Sequence, residues 1–143
     1  MKRLYVPLFL LIITLCNAQQ RGTMLLHPIE EALEVCLAGT EDQNGEAAIK
    51  CYYTAREAWG EEVENFYRLL MEALPRPEQR KLEYSQLQWV QYRDAEMLFS
   101  GAMYRGLEGD MWMIINAQRT TDIVKQRALE LEEYYEMLTF DPE

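Results

Sequence analysis

The sequence predicts an all-α protein, a small helical bundle with one short helix, about three long helices and one disulfide. Apolar residues recur at the three- and four-residue steps of a helix, and no segment alternates with the two-residue period of a strand. Polar or proline-containing breaks separate the periodic segments. At 143 residues the chain is expected to form one domain, residues 19–143, preceded by a leader.

Residues 1–18 have the features of a secretory signal peptide. A basic start, Met1 to Arg3, precedes an apolar run from Leu4 to Leu15 that is short for a bilayer span. Small residues favour cleavage after Ala18. A lipoprotein modified at Cys16 is the less favoured alternative, because the residue before it is bulky. We therefore expect a periplasmic or secreted protein with no membrane span in its mature form.

The composition is acidic, with 24 Asp and Glu against 14 Lys and Arg. Loss of residues 1–18 removes two basic and no acidic residues, so 12 bases face 24 acids and the net charge is near −12. Such a surface repels nucleic acid and attracts basic proteins. Acidity also keeps a secreted protein soluble, so charge alone identifies no partner.

The first predicted helix starts at His27 and Pro28, with acids in its first turn, and ends at Gly39. Its expected inner face comprises Ile29, Leu33, Cys36 and Leu37. After a polar turn from Thr40 to Gly45, a long helix is predicted from Gly45 to Ala73, with Gly60 as a weak point. Its expected inner stripe comprises Cys51, Ala55, Trp59 (or Ala58), Val63, Phe66, Leu70 and Ala73.

Cys36 and Cys51 are the cysteines that remain after the leader is removed. An even pair in an oxidising compartment predicts a disulfide. A loop of this length contributes about 3 kcal/mol in the chain-entropy model. A metal site is less favoured, because the only histidine, His27, gives the thiols no ligand cluster. No metal or other cofactor is expected.

Leu74 to Pro77 is the clearest break in the chain, and Pro77 is predicted to start the third helix. This helix fades at Gly101 and stops near Gly106 to Gly109. Asp110 is the expected N-cap of the fourth helix, and Asp141–Pro142 ends the chain. The inner stripe of the fourth helix comprises Met113, Ala117, Thr120 (or Thr121), Val124, Ala128, Leu131, Tyr135 and Leu138.

Polar residues share the inner face of the third helix with a tryptophan. The face comprises Leu82, Gln86 (or Ser85), Trp89, Arg93 and Glu96. In the structural interpretation, which we favour, Trp89 fills the core and a carboxylate holds Arg93, with Glu64 or Glu96 as candidates. In the alternative, Gln86, Trp89 and Arg93 form a groove for a partner, since Trp and Arg dominate binding hot spots.

The spacing Gln86-x-x-Trp89-x-x-x-Arg93-Asp94 resembles the signature of the LprI-like lysozyme-inhibitor family of secreted bacterial proteins. Three further segments resemble the family in the right order, over residues 36 to 132 in total. They are Cys36 with Cys51 as its first cysteine pair, Val63 to Tyr67 as its L-N-x-x-Y segment, and Arg127 to Leu131 as its R-x-x-x-L segment.

The chain departs from the family at two places. Glu64 replaces an asparagine, and the second cysteine pair is missing, because Met97 and the region of Arg119 contain no cysteine. We expect packing by Met97 to take the place of that disulfide.

The resemblance implies a protein that binds a lysozyme or another muramidase and blocks it without catalysis. The sequence contains no nucleophile paired with a histidine base and no phosphate loop, so it gives no positive sign of an enzyme. An enzyme acting on cell-wall material is a distant alternative. The second hypothesis is an accessory envelope protein without inhibitory activity. For inhibition, a loop or a helix end would have to block the lysozyme cleft, as a rigid protrusion. The candidates are the turn from Thr40 to Gly45, with Glu41 and Asp42, and the loop from Gly106 to Asp110, with Glu108 and Asp110.

Overall fold

The computed structural model describes residues 26–40 and 45–140, which form four helices: α1 (Pro28–Ala38), α2 (Gly45–Ala73), α3 (Arg76–Arg105) and α4 (Met111–Thr139). No strand occurs in these ranges, so the predicted fold class is confirmed. None of the described helices is apolar enough over sufficient length to cross a bilayer. The predicted signal peptide, the turn residues Glu41 and Asp42, and the chain end at Asp141 lie outside the described residues.

Helices α2 and α4 form the centre of the bundle and run in the same direction. Their first turns meet closely, because a Cβ added to Gly45 would lie 3.1 Å from Cδ1 of Ile114. Their last turns meet again where Leu70 and Leu138 line one groove. Helix α1 packs on α2, whereas α3 packs mainly on α4. The core comprises Trp59, Val63, Leu70, Leu82, Val124, Ala128 and Leu131.

The predicted inner stripes of α2 and α4 face this core, as expected for a 3.6-residue period. The exceptions are Ala73 and Leu138, which lie in the last turns and are exposed. Helix α1 has no buried residue and lies at the edge of the bundle. On α3, Leu82 is buried and Trp89 is half-buried against the core, so the predicted face does turn inward.

The helix ends match the sequence signals with two differences. Helix α3 begins at Arg76 rather than Pro77, which lies in its first turn. Asp110 occupies the N-cap of α4, but its side chain makes no capping hydrogen bond. The N-cap of α1 is His27, whose Nδ1 accepts a hydrogen bond from the Ile29 amide at 3.2 Å.

The Cys36–Cys51 disulfide is confirmed, with the two Cα atoms 5.8 Å apart. It joins the last turns of α1 to the first turns of α2. The chain between these helices is therefore closed into a loop whose ends are 15 residues apart in sequence.

Candidate functional site

Arg127 is the buried arginine of the bundle and connects α4 to α3. Its side chain is 5% exposed. Its Nε donates to Oε1 of Gln86 at 3.0 Å, and Nη2 donates to Oγ of Ser85 at 3.3 Å. Nη1 donates to Oε2 of Glu130 at 2.6 Å, and the guanidinium lies 5.9 Å from the Trp89 ring centre. Two of the residues in the sequence motif therefore contact Arg127.

The prediction that the carboxylate of Glu64 or Glu96 holds Arg93 is wrong. Neither Glu64 nor Glu96 holds it; Nη2 of Arg93 lies 2.7 Å from Oδ1 of Asp94, the next residue along α3. The Arg93 guanidinium lies over the Trp89 ring at 5.0 Å, and its side chain is 30% exposed. Because Arg93 lies at the partly exposed edge of the inward face, its guanidinium can pair with an exposed carboxylate on the same helix. The buried polar network is instead centred on Arg127.

An ion pair occupies the region where the resemblance places the second cysteine pair. Met97 packs against the core, as expected. Beside it, Glu96 of α3 pairs with Arg119 of α4. This link was not predicted, because nothing in the spacing of the two residues indicates that their helices meet there. A partly exposed ion pair contributes little stability in general, so packing must carry most of this contact.

A second polar cluster surrounds Trp59, which is 1% exposed. The indole Nε1 donates to Oε1 of Glu30 at 3.3 Å, and Nζ of Lys125 pairs with the other oxygen of that carboxylate. The His27 ring lies 4.3 Å from the Trp59 ring. The cluster joins α1, α2 and α4. Sequence reasoning missed Glu30 and Lys125, because charged residues far apart in the chain usually indicate solvated faces.

Acidic groups outnumber basic ones in this second cluster. Burial raises the pKa of Asp122, and Glu30 adds to that effect while Lys125 opposes it. Burial also raises the pKa of Tyr52, and the charges of Asp122 and Glu30 raise it further. Lys125 already pairs with Glu30, so the negative charge on Asp122 is only partly compensated.

Replacing Asp122 with asparagine should therefore stabilise the protein near neutral pH. Because the folded state holds the Asp122 proton more tightly than the unfolded chain, stability falls as the pH rises above the ordinary aspartate pKa, and asparagine escapes this cost. Urea denaturation near pH 7 should show the gain, and the gain should shrink near pH 3. Asp94→Asn, which removes an exposed partner of Arg93, is the control and should bring no gain. Equal gains at both pH values would contradict the assignment.

The described ends of the two loops proposed from the sequence lie at one end of the bundle. A Cβ on Gly45, where the first loop enters α2, would lie 3.6 Å from Cβ of Asp110. Gly109 has φ of +101°, a conformation that favours glycine. We define the loop end by its exposed described residues: Glu46, Leu107, Glu108, Asp110 and Met111. It combines carboxylates with large apolar side chains, and of these residue types interfaces are enriched in methionine.

The described histidine and the two described cysteines already have structural partners. The Nδ1 of His27 caps α1, and Cys36 and Cys51 form the disulfide. Within residues 26–40 and 45–140, no three His, Cys, Asp or Glu side chains are arranged to hold a metal ion.

Comparison with known proteins places this architecture in a family. Residues 36–131 match the family described as lysozyme inhibitor LprI, and that match covers most of the chain. The chain belongs to the LprI family. It is also similar to the crystal structure of an uncharacterized protein from Burkholderia thailandensis, with 28% identity and a TM-score of 0.75. The similarity covers 80% of this chain but 56% of that one. Comparison with curated proteins gives no significant match.

The LprI match includes α2, α3, most of α4 and both connections that form the loop end. It also contains the Arg127 network. His27 and Glu30 precede the matched stretch, so part of the Trp59 cluster lies outside the region that defines the family.

Proposed function

We propose that this LprI family member is an exported protein that binds a lysozyme or related muramidase and inhibits it without catalysis. The observation that carries this proposal within the family is that the described ends of both candidate loops lie at one acidic end of the bundle. The Cys36–Cys51 disulfide joins the two helices that flank one of these loops, and this link would limit the entropy lost when a partner holds the loop.

Charge supports a basic partner. Lysozymes of the animal type are basic, and an acidic inhibitor would be steered to them by long-range attraction. Leu107 and Met111, which are exposed beside Glu108 and Asp110, would supply the apolar contact that charge alone does not give. Because the Asp110 side chain does not cap α4 and pairs with no described residue, its carboxylate can contact a partner.

A lysozyme turbidity assay tests the proposal. The full-length chain, expressed with its own N-terminal segment and purified in oxidised form, should slow the clearing of a cell-wall suspension at micromolar concentration. Inhibition should weaken as salt rises, because screening reduces steering. Failure to inhibit several lysozyme types would overturn the proposal and favour the accessory envelope role. The intact mass of the purified protein checks cleavage after Ala18.

Charge reversal at the loop end tests the surface. The double variant Glu108→Lys/Asp110→Lys should raise the inhibition constant by about tenfold or more, since it places like charges against a basic partner. The matched control is Glu133→Lys/Glu136→Lys, which makes the same charge change near the opposite end of α4. The control should change the constant by less than about threefold, through steering alone. Equal effects of the two double variants would exclude the loop end as the contact.

A further inference from the structure

The side of α3 that faces away from the bundle is uncharged over most of its length. At about 100° per residue, ten residues between positions 84 and 103 share an arc opposite the buried Leu82 and Ser100. We call this set the outer face: Tyr84, Leu87, Gln88, Gln91, Tyr92, Ala95, Leu98, Phe99, Ala102 and Met103. It contains no Asp, Glu, Lys or Arg, although the chain has a net charge of −10.

The outer face is also largely apolar and mostly uncovered in the described part of the chain, although Tyr92 borders a groove with Arg119 of α4. Its six largest apolar side chains are between 45% and 74% exposed, with Leu98 at the upper limit. At about 200 Å² for each large side chain, they leave roughly 700 Å² accessible. A patch of this size indicates an interaction site. It approaches the area of about 800 Å² that each partner contributes to a stable interface.

Charge selects the occupant of this face. A basic protein would gain nothing from an uncharged surface when acidic surfaces lie elsewhere on the molecule. Two copies of this acidic chain, by contrast, meet with the least repulsion where neither carries unpaired charge. The two carboxylates that flank the outer face near the middle of α3 are neutralised within each copy. Asp94 pairs with Arg93, and Glu96 pairs with Arg119.

The two ends of the outer face are flanked by opposite charges, so they would complement each other if two copies packed antiparallel. Glu83 and Arg105 lie on the same edge of α3, 11 residues before and 11 residues after Asp94 (83 to 94 and 94 to 105). Neither forms an ion pair with a described residue of its own chain. A two-fold axis near residue 94 brings Glu83 of one copy beside Arg105 of the other. Edge residues of antiparallel helices pair in this way.

We propose that the outer face of α3 is a homodimer interface in which two copies pack α3 against α3, antiparallel, about a two-fold axis near residue 94. The contact extends for about 30 Å along each helix, at 1.5 Å per residue. It is isologous, so each copy presents the same patch and the assembly closes at two chains. This proposal is independent of lysozyme inhibition.

Sedimentation velocity of the oxidised full-length chain, over one to one hundred micromolar, tests the dimer. The expected result is a species of twice the protomer mass. Leu98→Glu should weaken the dimer about a hundredfold or more, because a carboxylate would be buried without a partner. Val35→Glu is the control, since Val35 is 70% exposed on α1, and it should leave the dimer intact. Circular dichroism checks that both variants keep their helices.

A charge swap tests the antiparallel arrangement. Glu83→Arg alone and Arg105→Glu alone should each weaken the dimer about tenfold, and the double variant should restore it. A double variant as weak as the two single effects combined would overturn this arrangement. If the protein sedimented as a monomer at every concentration, the dimer proposal would be wrong. It would also be wrong if the protein were always a monomer and Leu98→Glu abolished lysozyme binding, because the outer face would then bind lysozyme rather than a second copy. A dimer unaffected by Leu98→Glu would overturn its location.

Discussion

Replacing Arg127 with alanine should lower the free energy of unfolding by about 3 kcal/mol, whereas Arg93→Ala should lower it by less than about 1 kcal/mol. Loss of the Arg127 side chain removes three hydrogen bonds between or along α3 and α4. It also leaves Oε1 of Gln86 without that donor. We expect a loss of stability at the low end of the range of about 3–5 kcal/mol for a broken buried ion pair. The reason is that Glu130 is 46% exposed, so water can hydrate its carboxylate once Arg127 is removed.

Arg93 provides the comparison because it differs mainly in burial. Both arginines lie over the Trp89 ring and both have a carboxylate partner. However, Arg93 is partly exposed and makes no hydrogen bond to another helix in the described residues, whereas Arg127 bonds to Gln86 and Ser85 of α3. Urea denaturation of the two alanine variants measures the difference. Equal losses, or a larger loss for Arg93→Ala, would contradict the central position of Arg127.

Arg127→Lys sharpens the same test. Lysine keeps the positive charge but lacks the planar fork that reaches Gln86, Ser85 and Glu130 together. We expect the free energy of unfolding of Arg127→Lys to lie between that of the wild type and that of Arg127→Ala. If lysine restored full stability, charge rather than hydrogen-bond geometry would hold α3 against α4.

The sequence predicted the helices well and their polar contacts poorly, and the arginines show why. Periodicity identifies which face of α3 turns inward, because burial of apolar area sets that face. It does not say which cation from another helix arrives there. Arg127 was noted only as part of a family segment, while Arg93 was selected because it lies on the same helix as Trp89. A pairing across helices depends on their relative positions, which spacing does not encode.

The loop end and the Trp59 cluster were hidden for the same reason. The two candidate loops could be named from composition, but the approach of their described ends follows from the parallel course of α2 and α4, which the closeness of Gly45 to Ile114 and Asp110 shows. Glu30 was interpreted as a first-turn acid that favours the helix dipole. Its hydrogen bond to the Trp59 indole gives it a second role that no local pattern indicates.

Removal of the disulfide should have a comparable effect on stability and a separate effect on function. The variant Cys36→Ser/Cys51→Ser should lose about 3 kcal/mol, because the open loop restores conformational freedom to the unfolded chain. At this chain length, the melting temperature should fall by roughly 10 °C. Calorimetry measures the shift, and the reduced wild-type protein provides the control, because it loses the same bond without a change in side-chain length.

The functional effect depends on what the disulfide does in the folded state. If it only restricts the unfolded chain, the serine variant should inhibit lysozyme as well as the wild type at temperatures where both are folded. We expect instead that inhibition weakens about fivefold or more, because the disulfide joins the two helices that flank residues 40–44, and without that link more of the chain must be ordered when it binds. The control Asp122→Asn changes stability away from the loop end and should leave inhibition unchanged. An unchanged inhibition constant in the serine variant would show that the loop end needs no such anchoring, and would move the contact toward the loop that contains Glu108.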